Sequence, residues 1–507
     1  MATREIVVVG GGIAGVPTAY GIKAELGDEA RVTVVSERPR FHFIPSNPWL
    51  ALGWRRPEEV SFELEPLLEA RGIRLRAQPL QAAEPEQGRL RLADGETLSW
   101  DYLVLATGIR PLWEELPGAQ ADARVHSVIL PEEVSRAHAA WQEYLHRPGP
   151  VVIAAGPGAS ILGPMYEYAF LLDADLRRRG LRGRVPVALI TPEPYPGHLG
   201  LDRPVEREAL EEALAAHDIE WIGNARLEEL GDGQARFTAA GGGGTQTRPY
   251  DYAVVWPRFG GTEALRDMPW ADGSGLFRVD AALRAEGQER IFALGTCTAR
   301  ERVTDTPVPV GVPDAVYPAQ QQAALVARNV VVHGLHGQPP VSAAIERERW
   351  IADMGERGAA YLSAPHLPLR DVNWLRRGRW VFEAKREFEN YYIQQVLFGA
   401  GEHAHVATLT RRLLERAHGR AAEPGTRLDT AGITVADALR RRLEALAAEL
   451  ARPAPVLARQ LLEEAVAEAW SYLDRDTRAR AEERLREELL RELDAEQERV
   501  RFEGGAP

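Results

Sequence analysis

The chain is poor in sulfur: of 507 residues, one is cysteine, Cys297, and four are methionine. A single thiol closes no disulfide within the chain, which agrees with a reducing compartment. Positive charge is also in deficit, with 61 Lys and Arg against 74 Asp and Glu and a formal net charge of −13. A nucleic-acid backbone is met by clustered cations, so no nucleic-acid partner is expected. No apolar stretch reaches the roughly 18 residues of a spanning helix. An element lying on a bilayer surface is still allowed. The opening MATREIVVVGGG enters an apolar strand with no charged leader and no small-residue cleavage site. A cytoplasmic location is therefore expected, with peripheral attachment to the inner face of the membrane left open. No metal site is expected.

What is present is glycine in particular places. Ile6 to Val9 form a short apolar strand leading into Gly10, Gly11, Gly12, Ile13, Ala14 and Gly15, and a helical pattern follows through Ala19 and Ile22. In this strand, turn and helix Gly10 permits the turn, Gly12 lets backbone approach a pyrophosphate, and Gly15 allows close packing of helix on strand. Ile13 and Ala14 lie at the helix N-terminus, whose N–H groups favour negative charge. A second strand, Val32 to Val35, ends at Ser36 and Glu37, where an acid takes ribose hydroxyls. Arg38 beside it is a further candidate contact.

Two later segments belong to the same site. Asp101 to Gly108 is a buried strand ending in Ala106, Thr107 and Gly108, similar to the A-T-G signature of two-dinucleotide flavoproteins. Ile291 to Thr296 is similar to their third element, except that Thr296, after Gly295, stands where an Asp usually holds the ribityl chain. Between them Val151 to Ala155 leads into Gly156, Pro157, Gly158, Ala159, Ser160 and Ile161. Ile161 occupies the third glycine position, where a branched side chain is expected to push helix from strand. The expectation is a retained fold with a degenerate nicotinamide site. The alternative is a variant NADH site that still works.

The blocks Phe43 to Trp49, Ala51 to Arg55, Glu193-Pro194-Tyr195, Gly197 to Leu201, Thr306 to Pro309, Gly311 to Pro313, Ile351 to Gly355, Asn373-Trp374 and Gly378 to Val381 resemble those of the sulfide:quinone oxidoreductase and flavocytochrome c sulfide dehydrogenase family. The resemblance runs in order over residues 1 to 400. It implies bound FAD, and sulfide oxidation by paired cysteines, since the thiolate is both nucleophile and sulfur carrier. The matching positions here are Ile129, Ile161 and Trp350. Cys297, in the return loop, reads as a small buried apolar residue. Trp350 and Ile161 are expected to fill the former sulfide pocket. Asp314 stands where the family has Lys, and an anion there would lower the flavin potential. Gln320, Gln321 and Gln322 are quinone hydrogen-bonding candidates or a solvated face. His198 matches a family histidine associated with activity and reads either as a proton carrier or as a surface histidine.

Residues 380–393, within a segment 374–398, resemble the family's amphipathic docking region. Gln394, Gln395, Val396, Leu397 and Phe398 replace its lysines, raising the expected exposed apolar surface, and a bilayer surface and a protein partner compete as its target. From about residue 401 the composition turns to Ala, Leu, Glu and Arg. Thr434 and Asp437 resemble a capping box, and Leu439, Leu443, Leu446 and Leu450 recur at helical spacing. The expected fold class is α/β, with two Rossmann-like domains and a helical C-terminal extension. The expected division is an FAD domain at 1–115 and 255–340, a second dinucleotide domain at 116–254, a docking region at 341–400, and helices at 401–507 for self-association or a partner subunit. The leading function is an FAD-dependent oxidoreductase passing electrons to a quinone or protein acceptor without cysteine chemistry. A non-catalytic FAD-bound scaffold and an NAD(P)H:quinone reductase are the alternatives; Arg328-Asn329-Val330 and Gln321-Gln322 favour the last.

Overall fold

Runs of β-branched residues too apolar to face water on either side make the central strands, as in parallel sheets covered by helices on both faces. A computed structural model describes residues 3–398, apart from 201–206, 241, 243, 301–304, 313–315, 343–347, 356–357 and 365–371, together with the pairs 426–427 and 434–435. It divides into two units, Met1–Gly399 and Ala400–Pro507.

In the first unit, β1 (Arg4–Val9) pairs in parallel with β2 (Ala30–Val35), Ile6 opposite Val32. Helix α1 (Gly15–Leu26) makes the crossover. Strands β3 (Arg74–Arg76), β4 (Tyr102–Leu105) and β10 (Ile291–Ala293) complete a five-stranded sheet in the order β10-β4-β1-β2-β3. A second parallel sheet has the order β5-β9-β6-β7-β8, from β5 (Val125–His126), β6 (Val151–Ala155), β7 (Val187–Ile190), β8 (Ile219–Ile222) and β9 (Tyr252–Trp256). Strand β9 crosses the boundary expected at residue 254, because it pairs with β6 along its whole length. The first sheet draws its strands from two stretches far apart in sequence, 4–105 and 291–293, and the strands of the second sheet, 125–256, lie between them in the chain.

Of helices α2 (Asn47–Leu52), α3 (Pro131–Tyr144), α4 (Gly163–Arg178), α5 (Val316–His336) and α6 (Arg379–Phe398), α3 and α4 pack on the second sheet, α2 packs on α3 and α4, and α5 packs on α1. Gly21 lets α5 lie directly on α1, since a Cβ there would sit 2.9 Å from the Ala327 Cβ. Strands β11 (Glu348–Asp353), β12 (Gly358–Ala364) and β13 (Val372–Gly378) form an antiparallel sheet before α6.

The expected docking face is not borne by the C-terminal half of α6. Among its described side chains, Lys385, Glu389, Tyr392, Ile393 and Val396 are buried, while Arg386, Asn390 and Gln394 are exposed. The apolar stripe is spent on the chain's own core, where Tyr392 packs against Phe41 and Phe43. Side chains of 374–384 lie outside the described residues. No helix among the described residues is long and apolar enough to cross a membrane.

In the second unit, β14 (Thr426–Arg427) and β15 (Thr434–Val435) pair antiparallel. Thr434, expected to cap a helix, lies in β15. The leucine-spaced helices of 401–507 lie outside the described residues.

Candidate functional site

The glycines of the first turn do different work. At Gly10, with φ +125°, a Cβ would lie 2.0 Å from the Ala106 carbonyl oxygen, and at Gly15 it would lie 1.9 Å from that of Gly10. Both are required by the chain's own backbone. At Gly12 a Cβ would meet nothing within 4 Å. No hydrogen bond among the described residues takes the N–H of Gly12, Ile13 or Ala14. Open space beside unclaimed donors at a helix N-terminus is a cradle for a phosphate anion.

The other expected elements converge on this turn. Ala106 N–H donates to the Val9 carbonyl at 2.8 Å, and Leu294 N–H to that of Leu105 at 3.0 Å. Gly108 and Thr296 are neighbours, a Cβ on Gly108 falling 3.8 Å from Thr296 Oγ1. Gly295 N–H is held by Gln322 Oε1 at 2.6 Å, so buried Gln322 is no solvated face. Thr107 Oγ1 and Gln321 Oε1 are buried without a hydrogen-bond partner. Such orphaned groups beside an open cradle suit a polar cofactor. Glu37 is exposed at the end of β2. Arg38 is committed elsewhere, donating to Glu132 at 2.5 and 3.2 Å. The residues present therefore fit a dinucleotide at this turn.

The second turn is built differently. Helix α1 begins at Gly15, the third glycine itself, whereas α4 begins at Gly163, two positions past Ile161. Ile161 therefore does not push helix from strand; the helix starts later and Ile161 sits before it at φ +60°. A β-branched residue in that region carries roughly 1–2 kcal/mol of strain. Gly158 N–H donates to the Pro309 carbonyl at 2.6 Å, and Gly311 N–H to that of Ala159 at 2.8 Å. The Arg258 side chain lies over Gly158, where a Cβ would meet its Cδ at 2.9 Å, and pairs with Glu115. The donor that would face a pyrophosphate is thus taken by the chain.

Glu193 lies just beyond β7, near where an acid would take the ribose of a second nucleotide, but it does not serve that role. It is fully buried and used internally: Tyr166 and Thr191 hydroxyls donate to Oε2 at 2.7 and 2.8 Å, and Leu199 N–H to Oε1 at 2.8 Å. Burial raises its pKa to about 7. This anchor shapes the loop carrying His198, which is buried and not the surface histidine of the simpler reading. His198 Nδ1 accepts from Gly200 N–H at 3.1 Å, which puts the proton of the neutral ring on Nε2. Burial lowers its pKa, so the ring is neutral near pH 7.

Of the positions expected to match the family's cysteines, Ile129 is buried, its carbonyl accepting from Asn47 Nδ2 at 2.9 Å. Ile161 packs partly buried against the main core. Trp350 lies on β11 opposite Tyr361, and its side chain and Asp314 fall outside the described residues. Cys297 is fully buried, and burial pushes its thiol up to about 11. That is the small apolar residue expected, with no thiolate at neutral pH.

A buried polar network joins the Phe43 to Arg55 block to α4, β11 and α6. Lys385 Nζ pairs with Glu167, which also accepts Asp353 N–H at 2.8 Å. Trp49 Nε1 donates to Asp353 Oδ2 at 2.8 Å. Arg55 makes a bidentate pair with Glu389, and Ser46 Oγ donates to Glu389 at 2.6 Å. Burial raises the Glu167 and Asp353 pKa values. The sequence did hold a signal, because residues 385, 389, 392 and 396 share one helix face.

The pyridine nucleotide-disulphide oxidoreductase family matches residues 4–323. The chain belongs to that family. Within it, the likeness to sulfide:quinone oxidoreductases is upheld. The sulfide-quinone reductase of Aquifex aeolicus is 31% identical over 401 residues, 78% of this chain and 92% of its own. The X-ray structure of the sulfide:quinone oxidoreductase from Aquifex aeolicus superposes with a TM-score of 0.75 at 30% identity, covering 82% of this chain and 95% of that one. The mitochondrial sulfide:quinone oxidoreductase of Mus musculus is 24% identical over 58% of this chain and 65% of its own. The Plasmodium falciparum NDH2 structure in complex with NADH, at 14% identity and a TM-score of 0.62, shares the fold alone.

Proposed function

We propose that the chain is an FAD-dependent oxidoreductase that passes electrons to a quinone, or to a protein acceptor, without paired-cysteine oxidation of sulfide. The observation that carries this reading is the pairing of an open Gly12 cradle with a single thiol sealed in the core. FAD, when bound, supplies reversible two-electron chemistry at its ring. The chain's part is binding and proton handling. The N–H groups of Gly12, Ile13 and Ala14 would hold the pyrophosphate at the α1 N-terminus, and Glu37 would take ribose hydroxyls. Neutral His198 carries its proton on Nε2. A quinone acceptor is supported by the named activity of the Aquifex aeolicus relative.

Against an NADH-fed reductase stand the Gly158 N–H claimed by Pro309, Arg258 lying over the turn, and Glu193 consumed internally. The scaffold reading stays second, favoured by the replacement of Ile129, Ile161 and Trp350 for cysteine and by residues 401–507 beyond the family match. In that reading these residues recruit a partner or a second copy. Anaerobic mixing separates the readings. Photoreduced protein is expected to be reoxidised by a short-chain quinone, while NADH leaves the oxidised flavin band intact. Bleaching by NADH within turnover times contradicts the reading, and reduced flavin inert toward quinones turns it into the scaffold.

A further inference from the structure

Proline at position 17 leaves a gap in the first nucleotide turn. In the first turn of α1, Val16 N–H donates to the Gly12 carbonyl at 3.1 Å and Thr18 N–H to that of Ala14 at 3.3 Å. The Ile13 carbonyl lies between them, and its helical partner would be the N–H of residue 17. Pro17 has none. The carbonyl accepts instead from the Tyr392 hydroxyl at 2.6 Å, delivered by α6 from 379 residues away. Tyr392 is buried between Phe41, Phe43 and Phe388, so its ring has little freedom to leave.

The peptide unit that ends in the Ile13 carbonyl begins the Ala14 N–H. In a trans peptide these two groups point in opposite directions. Fixing the carbonyl toward α6 therefore aims the Ala14 N–H away from it, as one of the unclaimed donors of the cradle.

We infer that Tyr392 is a positioning residue for the cofactor turn, orienting the Ile13–Ala14 peptide for an anionic phosphate and making cofactor retention depend on the seating of α6. The inference rests on the reading of this turn as the FAD site. Any partner or surface that displaces α6 would then loosen the cofactor, although it touches neither the ring nor the phosphates. A second bond separates this role from mere helix docking. Tyr20 Oη on α1 donates to the Val396 carbonyl on α6 at 3.1 Å, holding the same two helices without touching the Ile13 peptide.

The test is FAD titration of the full-length apoprotein, followed by quenching of flavin fluorescence, with thermal unfolding of each apo variant alongside. Tyr392→Phe is expected to raise the Kd about fivefold, the worth of one well-formed hydrogen bond. Tyr20→Phe is expected to lower thermal stability comparably and leave Kd unchanged. Pro17→Ala supplies the absent N–H, so the Pro17→Ala/Tyr392→Phe double variant is expected to recover the wild-type Kd. An unchanged Kd in Tyr392→Phe, an equal loss in Tyr20→Phe, or no recovery in the double variant overturns the inference. Wild-type apoprotein that takes up no FAD instead overturns the flavin reading beneath it.

Discussion

Gly12→Ala is expected to give a folded chain that has lost its flavin. The other two glycines of the motif cannot make this point, since a Cβ at Gly10 or Gly15 would strike backbone 2.0 or 1.9 Å away and damage the fold itself. At Gly12 the added methyl meets no protein atom within 4 Å. Its only obstruction is to whatever approaches the N–H groups of Gly12, Ile13 and Ala14. Apo stability should stay within about 0.5 kcal/mol of wild type, the usual range for a substitution that touches nothing. Overpacking against a bound pyrophosphate costs about 3 kcal/mol, roughly a hundredfold in affinity. Absorbance of the purified variant and an FAD titration of its apo form check both halves. Full flavin occupancy would show that the open space is not where the phosphates sit.

Lys385→Met is expected to cause a large loss of stability. Its Nζ is the cation paired with the buried Glu167 carboxyl, and it lies 4.5 Å from the Trp49 ring centre, with the Arg55 guanidinium 4.3 Å from the same ring. Removing one partner of a buried pair leaves the other charge without compensation, a loss of about 3–5 kcal/mol. Glu167→Gln/Lys385→Met removes both charges and should regain most of it. Urea unfolding followed by tryptophan emission measures the difference. A double variant no more stable than Lys385→Met would show that packing of the lysine stem, not charge pairing, holds α6 to α4.

The parts legible in the sequence were those set by local rules. The apolar runs of β1, β2, β4, β6 and β10 and the glycines after β1 announce their elements because strand burial and tight turns leave a mark within a few residues. What escaped depends on contacts between distant segments. That Pro309 would take the Gly158 N–H, or that Glu193 would turn inward to Tyr166 and Leu199, follows from loop closure that no residue pattern encodes. Ile161 was correctly singled out, yet its effect was misjudged, because α4 accommodates it by starting two residues later. The outward face expected on α6 failed for a similar reason. Lys385 and Glu389 face inward because Glu167 and Arg55, from other elements, are placed against them. Pro17 carried a readable signal of a missing donor, but the identity of its replacement, Tyr392, lay far along the chain.

The account stands on a flavin bound without paired thiols beside it, and anaerobic addition of hydrosulfide to the purified, flavin-loaded protein tests this most directly. The prediction is an unchanged visible flavin spectrum, with a shared quinone giving no hydrosulfide-dependent turnover. Rapid bleaching of the flavin band by hydrosulfide, restored on adding quinone, would contradict it.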